Sequence, residues 1–192
     1  MSGELPNPDP TWLNGQLLIA MPGMQDPRFG HTVLYICTHS SEGAMGLVIN
    51  RAIGEIRFAD LMSQLGIEGA SDQDRPVHFG GPVDSSRGFV LHSAEFRTDQ
   101  TLVIDDHVAL TATKDILQAI VDGTGPDSAI FALGYAKWFA GQLDSEIQAN
   151  AWLTAPADRS LIFDRELDTK WERAIGQLGF HPAMLSGHSG HA

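Results

Sequence analysis

The run HTVLYICT at residues 31–38 is apolar on both strand parities, and SAIFALGYA at residues 128–136 shares that property. Successive side chains of a strand point to opposite faces, so a sheet with one wet face alternates apolar with polar residues. A run that lacks the alternation belongs to a strand covered on both sides. A chain with two such runs needs packed layers on either face of its sheet. Further strand-like runs fall at residues 16–20, 44–50, 77–79, 87–93 and 107–111, with shorter ones at 151–154 and 160–163. Ser40 to Gly43 separates two of them as a hairpin turn.

Four helices complete the inventory. Phe58, Leu61, Met62 and Leu65 recur at helical spacing, with Gly66 as the stop. Ile116, Leu117, Ile120 and Val121 form a second stripe, opened by Thr113 as cap and closed by Gly123. A third helix is expected over 140–149, with Leu143 and Ile147 inward and Asn150 at its end. In the fourth, Thr169 and Glu172 have capping-box spacing ahead of the stripe Trp171, Ala174, Ile175 and Leu178, and Gly179 closes it. Early strands follow one another in hairpin succession, and helices interrupt the later ones. The expectation is an α+β fold in one compact domain, its sheet mixed or mainly antiparallel and open to a curled, barrel-like form, flanked by about four helices. The 192 residues suit a single domain over 12–185, with flexible ends at 1–11 and 186–192.

Composition removes several functions. The net charge is −12, from 24 acidic against 12 basic residues, and the basic ones are dispersed. Nucleic-acid binding draws on clustered cations that neutralise phosphates, so direct nucleic-acid binding is disfavoured. No apolar run reaches the length that spans a bilayer, and no membrane association is expected. The opening MSGELPNPDP is acidic and proline-rich where a secretory signal is basic and then apolar. With one cysteine, Cys37, no internal disulfide can form. A cytoplasmic location and a monomer are the expectations.

Three stretches carry a more specific pattern. LLIAMPGMQDPRFGHTVLYICTH leads into GAMGLVINR, GGPV is followed by RGFVLHS, and a block spans residues 134–153. In this ordered set the chain resembles the YqgE/AlgH family of bacterial proteins. The resemblance covers nearly the whole length. Lys137 and Phe139 depart from the family's pattern, which has small residues around Trp138. The resemblance implies a compact α+β domain in the cytoplasm, with no family-wide enzymatic activity or cofactor established; none is expected here. Some relatives are labelled transcriptional regulators through an association with alginate production, which describes a genetic effect and implies indirect regulation. Direct DNA-binding regulation is the alternative, although no helix-turn-helix with a basic recognition helix is legible.

Candidate chemistry is sparse. By strict parity His31, Val33, Tyr35, Cys37 and His39 share one face, so His39 could assist a Cys37 thiolate in a redox switch or an enzyme. Flanking Leu34 and Ile36 favour the simpler reading of Cys37 as a small buried hydrophobe. Gly80, Gly81 and Pro82, or the loop from Gly43 to Gly46, could cradle a phosphate, but a tight turn explains them equally. Asp105 and Asp106 likewise read as turn residues. His31, His39, His78, His92 and His107 are scattered, and His188 and His191 make only a two-ligand clip, so no metal site is expected. Gln142 and Glu146 lie one helical turn apart, close after Trp138. Together with Asn50, Arg51 and Arg87 they could line a polar cleft for a protein partner or a small anionic ligand, the arginines receiving the anion. Binding without catalysis is the leading reading.

Overall fold

The computed structural model describes residues 12–70 and 75–185. The chain opens with three strands, β1 (Gln16–Ala20), β2 (Val33–Ser40) and β3 (Gly43–Val48), then helix α1 (Phe58–Gln64). Next come β4 (Val77–Phe79), β5 (Val83–Ser93), β6 (Leu102–Val103) and β7 (Val108–Thr111). Helix α2 (Lys114–Asp122) leads to β8 (Ala129–Phe139), α3 (Gln142–Gln148) and β9 (Trp152–Pro156). Three helices follow, α4 (Arg159–Phe163), α5 (Leu167–Gln177) and α6 (Pro182–Leu185).

The strands form one curled half-barrel in the order β6-β7-β5-β8-β3-β2-β1-β9, antiparallel throughout this path. β4 is the parallel exception, lying beside β8. The glycine pair after β4 lies close against β8. Gly134, within β8, has φ +75°, and a Cβ there would lie 2.3 Å from the Gly81 carbonyl oxygen. A Cβ on Gly81, at φ +156°, would lie 2.1 Å from the Tyr135 carbonyl carbon. Backbone meets backbone here, and only glycine leaves room for it. The GGP motif is therefore filled by β8 and has no space for a phosphate.

Both faces of the central strands are covered, as the unbroken apolar runs require. Leu17, Ile19, Val33 and Tyr35 pack beneath α4 and α5 with Leu161, Ile162, Trp171 and Ile175. Leu18, Leu34 and Ile36 pack on the opposite side with Leu143 of α3 and Trp152 of β9. A third cluster seats Phe58 and Met62 of α1 and Ile116 and Ile120 of α2 against Val77, Val90 and Phe131. Fully burying one such side chain contributes about 1.5–3 kcal/mol.

Several local expectations change. The run at 160–163 is the helix α4, because the Asp158 side chain accepts from Ser160 N–H and caps it, while Leu161 and Ile162 are both buried. Four apolar residues carry too little periodicity to separate helix from strand. Thr169 caps nothing: α5 begins earlier, and the Thr169 hydroxyl accepts from Arg173 Nε at 3.1 Å. Thr113 does occupy the N-cap position of α2, but its hydroxyl is buried without a hydrogen-bond partner. His31 lies outside β2, at φ +55°. The short β6 and α6 carried no periodicity to read. The expected flexible ends at 1–11 and 186–192 lie outside the described residues.

Candidate functional site

β8 delivers Trp138 to the face that α3 covers, and Gly141, at φ +72°, turns the chain into that helix. One helical turn separates Gln142 from Glu146, so both side chains return toward the strand end. The Glu146 carboxylate accepts from Trp138 Nε1 at 2.9 Å and from Trp152 Nε1 at 2.8 Å, both on Oε2. Gln142 Nε2 donates to its other oxygen, Oε1, at 3.0 Å. Gln142 in turn accepts the Phe139 backbone N–H at 3.0 Å. Trp138 and Trp152 meet edge to face at 6.2 Å, and Phe29 meets Trp152 the same way at 5.7 Å. One carboxylate thereby pins the end of β8, helix α3 and the start of β9 together.

In front of this assembly lies a cleft of about 640 Å³. Trp138, Gln142, Glu146 and Trp152 line it, together with Met21, Met24, Asp26, Arg28 and Phe29 of the loop after β1. Arg28 closes on Asp26, Nη2 to Oδ2 at 2.7 Å and Nε to Oδ1 at 3.0 Å. These hydrogen bonds hold the Asp26 carboxyl below the usual carboxylate range. At the rim Lys137 Nζ sits 5.4 Å from the centroid of the Phe139 ring, which is 71% exposed.

Of the six residues expected in the cleft, Trp138, Gln142 and Glu146 meet there. Asn50 and Arg51 lie outside it, lining a separate opening with Phe79 and Leu167, and hold backbone of the 28–33 segment. Asn50 Oδ1 accepts Val33 N–H and its Nδ2 donates to the His31 carbonyl, each at 2.9 Å. Arg51 donates to the carbonyls of Arg28 and Gly30 at 2.5 and 2.6 Å. Arg87 lies elsewhere, exposed on β5 with its guanidinium 5.0 Å from the Phe89 ring centroid. Neither arginine lines this cleft. Sequence reasoning missed Met21, Met24, Phe29 and Trp152. They belong to the specific strings at 17–39 and 134–153, yet nothing local tells that residue 24 faces residue 146.

Cys37 and His39 do not share a face. A bulge in β2 places Thr38 rather than Cys37 opposite Met45, and His39 opposite Ala44. Cys37 joins the core beneath α4 and α5, whereas Ala44 belongs to the α3 side. Burial pushes the Cys37 thiol pKa up, and its Sγ lies 3.9 Å from the Tyr35 carbonyl oxygen. His39 accepts Leu13 N–H at Nδ1 and lies 3.5 Å from Asp144 through Nε2. Asp105 Oδ1 accepts the N–H groups of His107 and Val108, a turn contact. Among the described residues no three His, Cys, Asp or Glu side chains come together to hold a metal. His188 and His191 lie outside them. No helix of the described residues is long and apolar enough to cross a membrane.

The family model described as AlgH-like (DUF179) matches residues 17–183. The chain belongs to the AlgH-like family. AlgH-like relatives include a UPF0301 protein of Methylobacterium nodulans, 55% identical over 96% of this chain and 92% of the relative. A UPF0301 protein of Rhodospirillum rubrum is 53% identical, over 94% and 95%. The solution structure of the AlgH protein from Pseudomonas aeruginosa superposes with a TM-score of 0.78 at 41% identity, covering 98% of this chain and all of that one. A crystal structure from Corynebacterium diphtheriae, 20% identical with a TM-score of 0.70, shares the fold, covering 86% of each chain.

Proposed function

We propose that this AlgH-like protein is a binding protein that seats a segment of a protein partner in the cleft between the 21–29 loop and α3. The observation that carries the reading is the lining: methionines and aromatic rings around a polar floor held in place by hydrogen bonds within the protein. Methionine adapts to varied apolar surfaces, and partly exposed aromatics anchor interfaces. Among the described residues, no serine, threonine, cysteine or histidine lines the cleft, which favours binding over turnover. The exposed Phe139, 71% accessible beside Lys137 of the lining, adds to the apolar surface available to a partner. A small anionic ligand is the weaker occupant, because neither Arg51 nor Arg87 lines the cleft. The thiol-switch alternative loses support from the separation of Cys37 and His39.

A regulatory effect, in this reading, passes through the bound partner and not through DNA contact. The net charge of −12 supports that indirect route. A cytoplasmic location fits a chain with a single, buried cysteine. The test is quantitative affinity purification from the protein's own cells with three baits: the native chain, Met24→Glu, and Arg87→Ala as a remote control. The expected result is a stoichiometric partner held by the native chain and Arg87→Ala and lost by Met24→Glu, with circular dichroism unchanged. Equal recovery on all three baits removes the cleft as the docking site.

A further inference from the structure

The cleft holds a carboxylate, Glu146, that no ion pair among the described residues neutralises. Of the ionic groups in the lining, Asp26 and Arg28 pair with each other, while Glu146 and Lys137 take part in none of the ion pairs among the described residues. Arg28 is closed on Asp26, and Lys137 lies over the Phe139 ring. Three neutral donors fix the carboxylate in place. Two of them fill Oε2, whereas Oε1 receives Gln142 alone and keeps an open lone pair. Half-buried Phe29 and Met24 line the same opening.

We propose that the cleft reads a guanidinium, the side chain of an arginine in the docked segment, with Glu146 Oε1 as its acceptor and the Phe29 side of the cleft as its apolar wall. The proposal rests on the cleft reading above and names its ligand chemistry. A pre-oriented carboxylate in a partly desolvated opening suits a charge-assisted hydrogen bond, since the three donors already hold it in one orientation. The Phe29 ring already carries the Arg28 guanidinium, 5.6 Å from its centroid; an incoming guanidinium, planar and weakly hydrated, matches an acceptor flanked by apolar walls better than an ammonium does. The protein's charge of −12 adds long-range attraction for a cationic segment.

The indole N–H groups on Glu146 are built-in reporters. In a ¹⁵N-labelled sample the side-chain signals of Trp138 and Trp152 are followed against Trp171, whose Nε1 donates to the Ala20 carbonyl at 2.8 Å in the core. The probes are N-acetyl-arginine methylamide, its neutral isostere N-acetyl-citrulline methylamide, and N-acetyl-lysine methylamide with a free ε-amine. The arginine compound is expected to shift the Trp138 and Trp152 signals saturably and at least about tenfold more tightly than the citrulline compound, the gain from one charge-assisted bond. Glu146→Gln keeps an oxygen for the indoles and is expected to abolish the difference, with the Trp171 signal marking an intact fold. Equal responses to arginine and citrulline overturn the charge reading while leaving the cleft as a binding site. Arginine and lysine responding alike overturn the guanidinium preference. Silence of both indoles toward every probe overturns the proposal, and partner capture by Met24→Glu then judges the cleft independently.

Discussion

Cys37 and His78 illustrate how a residue's surroundings decide what its type can do. A thiol is nucleophilic only as thiolate, and burial favours the neutral form. With Cys37 2% exposed and its pKa raised by burial, alkylation by iodoacetamide at neutral pH is expected only as fast as the protein unfolds. Rapid labelling of the native protein, followed by mass spectrometry, would contradict this. His78 is 4% exposed, and its ring nitrogens face the Phe131 and Pro76 backbone without well-formed hydrogen bonds. Burial first, and then the nearby Lys170 charge, lower its pKa to about 4. The folded ring stays neutral between about pH 6.5 and 4 while the unfolded chain takes up a proton, so stability falls as pH drops through that window. The full penalty below pH 4 is about 3 kcal/mol. Urea titrations at several pH values should show a shallower acid loss for His78→Leu than for the native chain.

At the level of elements, glycine positions separate close approach from simple turn geometry. Gly81 and Gly134 hold two backbones together, so Gly81→Ala is expected to leave little folded protein, because a Cβ there meets backbone that cannot move aside. Gly66 ends α1 at φ +75°, and a Cβ added there would meet nothing within 4 Å. Gly66→Ala therefore costs only the left-handed strain, about 1 kcal/mol. Comparable unfolding midpoints for the two variants would refute the close-approach account. The helices divide in the same manner. α1 and α2 were legible from their stripes because their apolar residues recur over two turns. α4 was not, since its fold is set by the Asp158 cap and by burial from two sides. The β2 bulge is a further case: parity held from Val33 to Cys37, then one extra residue sent His39 to the other face.

For the molecule as a whole, an excess of twelve negative charges sets the long-range behaviour. Self-repulsion among them weakens the compact state, and salt screens it over a Debye length of about 10 Å at 0.1 M. Adding sodium chloride should raise the thermal midpoint. Duplex DNA should show no saturable binding even at low ionic strength, as fluorescence anisotropy can check. Saturable, salt-sensitive DNA binding would reopen direct regulation.

The sequence by itself determined the α+β class, the two-sided burial of the central strands and the family, because these are written in local periodicity and in long ordered strings. It also placed Trp138, Gln142 and Glu146 together, since a strand end and one helical turn fix their relation. Only the tertiary structure decided the rest. Met24 and Phe29 reach Trp152 across more than a hundred residues of chain, Arg51 turns inward to brace a loop, and Arg87 stays on another strand. Such relations arise from how the curled sheet closes. The fold's backbone contacts at Gly81 and Gly134 carry no side chain for a sequence pattern to reveal.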